Sequence, residues 1–407
     1  MFLKLLLSIN LIIVSVFSTV YQITNISDAD PYIQSSYILP KQYDIILTSY
    51  IEEDTFFGNY NISFEITQSI HSIQLYLNVK YVTNMMVIND SKELNYEMSI
   101  YKPVKTLYDN KRNITEYIFQ DNLFPGNYII KLSYVIIGTG LKEFYKRNEQ
   151  QWLAAYVDTQ HVIPRFRTSL FTSHTYNIII EHYHYYTVLS NIPIQKIEMK
   201  DENMRMTQFN TTLVQPNYLV FLINQTNLSL IPSTNKSIKV DMWCRIHCSF
   251  AHQLVENITS YLFDKWKHLN KTWQITHVAI PDFQNESIIY PGLVLYREAD
   301  VIYIENVDSS ASKTKVAHFL ANKVIHECFY YENPLWSQSS WLNKAIAVFF
   351  GFYITNKVFP DTRITDLFVV QFQHESLHFD TEYNTSLYNT SFNNSFEHPD
   401  YIQGIIL

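Results

Sequence analysis

Glycine is scarce in this sequence, with 7 in 407 residues against an average usage of about 7%. Tyrosine (31 residues), isoleucine and asparagine are abundant instead. That pattern reads as compositional bias of the source genome, and no glycine-built or other internal repeat is evident. Charge is also thin: 17% of residues are charged and the formal net charge is −8. A mildly acidic surface of this kind excludes an electrostatic footprint for nucleic acid. Long apolar runs are missing beyond the first residues, and nothing else approaches the roughly 18 residues a spanning helix needs. Only three cysteines occur. Cys244 and Cys248 lie four apart in WCRIHC, with no second ligand pair at finger-like spacing, so a structural zinc finger is excluded. A disulfide between them requires a sharp turn where a strand gives way to a helix, and Cys328 has no evident partner.

What is present begins with MFLKLLLSINLIIVSVFSTVYQ. A basic start at Lys4 and an apolar run to Phe17 form a secretory signal, residues 1–18, too short for a membrane span. Asn-x-Ser/Thr sequons occur at Asn25, Asn61, Asn89, Asn113, Asn210, Asn224, Asn227, Asn235, Asn257, Asn270, Asn285, Asn384, Asn389 and Asn393. Chance alone gives roughly five in such a composition. The excess predicts a glycosylated, extracellular protein, secreted or held at a cell surface, with no transmembrane segment in this chain.

Residues 35–225 carry short alternating runs such as YDIILTSY, FFGNYNISFEI and NYIIKLSYVII, separated by Asn, Asp and Pro. These predict a β-domain. Within EHYHYY, alternation places His182 and His184 on one strand face, but no third metal ligand lies near. The polar stretch 224–237 marks a boundary. Beyond it the period becomes helical. Ala251, Leu254, Val255, Ile258, Leu262, Phe263 and Trp266 share one face, and Val316, Leu320, Val324 and Cys328 form a ridge beside Ala317, Ala321, Ile325 and Phe329. A third helix begins near Ser339. The expected class is α+β.

VAIPDF (278–283), PGLVLYRE (291–298), SSASKTKVA (309–317) and WLN (341–343) occur in an order that resembles the aminopeptidase N family of zinc aminopeptidases (gluzincins). YILPKQYDIIL, WLAA (152–155) and VLSNIP (188–193) sit where that family's N-terminal domain would place them. The resemblance implies a saddle- or sandwich-like β-domain at 35–225. An incomplete, thermolysin-like, mainly helical domain would follow at 238–407. The implied chemistry is removal of single N-terminal residues from peptides. Two histidines one helical turn apart and a glutamate from the next helix would hold zinc, leaving a fourth position for water. A glutamate beside the first histidine would act as general base.

Counting without gaps from SSASKTKVA aligns Asn322 with the first zinc histidine, Lys323 with the general base and His326 with the second histidine. Lys344 falls on the third ligand. Ile289 takes the place of the amine-binding glutamate, and Tyr401 in YIQG that of the oxyanion tyrosine. His326 is then the one ligand retained. Two lysines near a dication would each cost about 8 kcal/mol at 4 Å and an effective dielectric of 20. His318, eight helical residues from His326, stands about 12 Å away, too far to substitute. The expectation is no cofactor where the family uses zinc, and Glu327 facing solvent or a lysine. Lys323 and Lys344 are expected in salt bridges with acids still to be identified.

The chain is thus expected to be a secreted, catalytically inactive homologue that binds a peptide, protein or glycan partner. Two alternatives stand beside it. One is an active metalloaminopeptidase with unusual ligands. The other is a truncated or decaying gene product, since the family continues into further helical domains.

Overall fold

The computed structural model describes residues 37–374 and 378, apart from 51–54, 78–81, 91–98, 138–140, 147–152, 159–162, 167–173, 213–219, 225–227, 236–237, 266–273, 282, 284, 333–339 and 361–362. The signal segment, Asn25, Asn227, Asn270, Asn384, Asn389, Asn393 and Tyr401 lie outside the described residues.

The N-terminal part is all β. Eight strands form its main sheet, in the order Ile194–Met199, Met204–Phe209, Thr175–Tyr183, Ile38–Tyr50, Thr55–Ile66, Gly126–Ile137, Val82–Asn89 and Ile100–Tyr101. Two four-stranded sheets accompany it. Period-two patterning explains the strands. In Thr55–Ile66 every second residue, from Phe56 through Tyr60, Ile62 and Phe64 to Ile66, is buried, and most of those between remain accessible. Aromatic pairs fill the core. Tyr60 and Tyr134 stack with centroids 5.0 Å apart, and their hydroxyls are 2.9 Å apart. That bond answers the polar ends that burial would otherwise strand.

The second part combines a mixed sheet with helices. Its strands are ordered Ser229–Ile231, Lys239–Cys244, Gln274–Ile280, Leu293–Arg297 and Ser287–Tyr290. The middle three run parallel, and both outer strands are antiparallel to their neighbours. Parallel pairing demands a long crossover, and helix α1 (Ser249–Lys265) lies within the first one. Helices α2 (Ser310–Glu332) and α3 (Ser340–Val358) follow. The apolar ridge on α2 is buried from Val316 through Leu320 and Val324 to Cys328. It packs with α1, α3 and the sheet in one core. No helix among the described residues is long and apolar enough to cross a membrane.

A small cluster joins the two parts. Leu189 and Leu222 from the N-terminal part pack with Val278, Ile280, Phe283, Leu293 and Leu295 of the mixed sheet. Gly292 turns the chain at this joint. Its φ is +83°, and a Cβ there would stand 3.0 Å from the Asn191 carbonyl oxygen. Both the left-handed backbone and the close approach require glycine.

Candidate functional site

Helix α2 carries Asn322, Lys323, His326 and Glu327. The edge strand Ser287–Tyr290 carries Ile289 and packs against α2, which also packs against α3. The backbone of Lys344 lies on α3, and its side chain is outside the described residues. A single helix therefore holds three of the sequence-predicted positions. The edge strand supplies the fourth.

Asn322 is half-buried where α2 and α3 cross. A Cβ on Gly351 would be 3.3 Å from its Cα and backbone nitrogen, so the missing side chain lets the two helices close. Lys323 points towards the edge strand. Its side chain keeps only 16% of its accessibility, and Nζ lies 3.6 Å from Glu286 Oε1 and 5.0 Å from the centroid of Phe319. Burial lowers its pKa, and Glu286 and Asp300 push the other way. The acid left unidentified by the sequence is thus Glu286, which stands three residues before Ile289. Ile289 is half-buried and packs against the apolar core. It offers no charge to an amine.

His318 sits one turn before Asn322, against Phe352, with ring centroids 3.9 Å apart. Burial first, and then the Lys323 charge, bring its pKa down to about 4. His326 is half-buried. Among the described residues no three His, Cys, Asp or Glu side chains are grouped to hold a metal.

Glu327 departs from expectation. Solvent or a lysine was its expected neighbour, but the residue is 1% exposed, and its Oε1 accepts the Gly292 N–H at 2.9 Å. Burial pushes its pKa up to about 7, opposed by the Gly292 N–H and the Cys328 thiol. The sequence did carry a signal. Glu327 falls three residues after Val324 and seven after Leu320, on the face that packs inward. Nearby, Tyr296 stacks on His277 with centroids 5.7 Å apart, and its hydroxyl is 2.9 Å from Nδ1. Burial holds the imidazole neutral, with a pKa of about 3, and raises the phenol. The tyrosine therefore donates to Nδ1. Sequence reading singled out neither residue, because each is unremarkable within an apolar strand.

The histidines of EHYHYY separate. His182 is buried and bonds Thr207 Oγ1 at 2.8 Å. The strand ends at Tyr183, so His184 falls in the turn and is exposed. The shared strand face expected of them is lost. Among the sequons, Asn61, Asn113, Asn210 and Asn257 are exposed, and Asn89, Asn235 and Asn285 are half-exposed. Asn224 ends the strand Val220–Asn224.

The site does not fit a catalytic zinc. Of the positions that the motif register assigns to zinc ligands, Asn322 is wedged at a helix crossing and His326 supplies one imidazole. On that register the Lys323 ammonium, paired with Glu286, stands where the general base is expected. An ion of charge +2 beside that ammonium would be repelled, with only one good donor in return.

Residues 39–219 match the peptidase M1 N-terminal domain, and residues 250–406 match the peptidase family M1 domain. Human glutamyl aminopeptidase is 25% identical over 357 residues, covering 82% of this chain and 36% of its own length. The bovine glutamyl aminopeptidase is 24% identical over 339 residues, 78% of this chain and 34% of its own. Aminopeptidase Q of Mus musculus is 23% identical over 371 residues, 83% of this chain and 66% of its own. The chain spans about a third of the length of the glutamyl aminopeptidases it matches.

Proposed function

This chain belongs to peptidase family M1, and from that premise we propose that it is a secreted, glycosylated homologue that has exchanged catalysis for binding. The partner would be a peptide, a protein or a glycan. The observation that carries this reading is Lys323. A general base must accept a proton from water, and an ammonium paired with Glu286 and laid over Phe319 donates instead of accepting. Ile289, half-buried against the core, stands where a carboxylate would hold a substrate amine.

Secretion and glycosylation rest on the signal segment and the sequon excess. Four of the described sequon asparagines are exposed, which suits glycan attachment.

The test uses the full chain purified from a secretory host, with metal analysis and a panel of aminoacyl chromogenic substrates. Substoichiometric zinc and no hydrolysis are expected. One zinc per chain, lost together with hydrolysis in His326→Ala, would overturn the reading.

A further inference from the structure

We propose that Cys244 and Cys248 form a disulfide that closes the junction between the strand Lys239–Cys244 and α1. The strand ends at Cys244, three residues turn the chain, and Cys248 immediately precedes the helix. His247 makes the reversal sharp, with φ +57°. Both cysteines are 1% exposed and belong to the same core cluster. Both are free thiols, near enough across the turn to perturb each other's ionisation, and the Cys248 thiol donates to the Ile246 carbonyl at 3.3 Å. The turn itself is held. Arg245 Nε lies 2.9 Å and 3.1 Å from the two carboxylate oxygens of buried Glu298, and the guanidinium's Nη2 also bonds Oε2. Such a sharp, clamped turn is what an i, i+4 bridge needs. Cys328 shares the core but bonds Glu327, which leaves Cys244 and Cys248 as the facing pair.

The chemistry is an ordinary exchange with oxidised glutathione. As the chain folds, either cysteine can supply the first thiolate, and the route through Cys244 begins with its attack on one glutathione sulfur. It forms a mixed disulfide and releases one glutathione. Cys248 then loses its proton to water, attacks the Cys244 sulfur and releases the second glutathione. Two electrons pass from the cysteines to the glutathione disulfide. Both sulfurs are buried beside the Glu298 carboxylate, so exchange occurs while the domain folds, and the finished bond is shielded from reductants.

In the cell this inference depends on the secreted reading for its oxidant, so the test supplies the oxidant separately. The full chain is taken from a secretory host. It is also refolded from reduced, denatured protein in mixed reduced and oxidised glutathione. Both samples are unfolded in iodoacetamide without reductant and digested with trypsin, which cuts after Arg245. One label per chain is expected, on Cys328, with two peptides joined through Cys244 and Cys248 that separate on reduction. Cys328→Ala should keep the bridge, and Cys244→Ser should leave Cys248 labelled. Three labels in the refolded chain, or a link from Cys248 to Cys328, would overturn the proposal. A bridge in the refolded chain but not in the secreted one would count against the compartment and leave the proposal standing.

Discussion

The two parts of this molecule bury polarity in different currencies. The N-terminal core takes in neutral tyrosine hydroxyls, as at Tyr60 and Tyr134, whose pKa values burial raises far above neutral pH. The second core takes in groups that titrate near neutrality or are held off it by burial. His277, His318, Lys323 and Glu327 all lie within or beside its helices and sheet. The tyrosine arrangement is indifferent to pH across the physiological range, although the same part also buries His182, whose pKa burial lowers. The second core is not. The peptidase family M1 part of this chain thus has a polar, chargeable interior along its second helix.

The joint between the two parts is the most damaging place to intervene. Gly292→Val places a branched side chain at φ +83° and against the Asn191 carbonyl. A loss of about 3 kcal/mol or more is expected, read as a fall in the urea midpoint. A wild-type midpoint would show that the joint carries little.

Glu327→Gln sharpens the contrast in pH response. The folded carboxyl titrates at about 7, above its usual 4.5. A raised carboxyl pKa means that the folded state binds the extra proton between those values. Its cost is therefore absent near pH 4 and grows as pH rises through 7. Relative to wild type, the glutamine variant should gain on the order of 2 kcal/mol between pH 5 and pH 8. Chemical denaturation at the two pH values measures this gain. Equal differences at both would mean that the carboxylate is not held as described. The histidines act oppositely. Their lowered pKa values, about 3 and 4, remove stability as pH falls below 6.5.

The smallest effect belongs to Lys323→Met. Its partner Glu286 is 60% exposed, so breaking the pair strands no buried charge, and the apolar stem keeps its packing on Phe319. A change within about 1 kcal/mol, neutral or stabilising, is expected from thermal melts. A large loss would make the pair a structural necessity.

Much of this was legible beforehand. Alternation in FFGNYNISFEI, and the spacing from Val316 to Cys328, gave the strands and the buried helix face because burial imposes those periods directly. The ordered motifs placed Asn322, Lys323, Ile289 and His326 near one another. They could not say that Glu286 answers Lys323, since the two lie 37 residues apart on different elements. Nor could they place Glu327, whose charge argued for the surface and whose helical position argued for the core.

The residue pattern alone determined the α+β class and the family, because each depends on local periodicity or on an ordered string of residues. Tertiary structure decided which charges meet. Glu327 reaches Gly292 and Lys323 reaches Glu286 only after packing has set the elements against one another. Electrostatics acts through distance and burial, and neither is written along the chain.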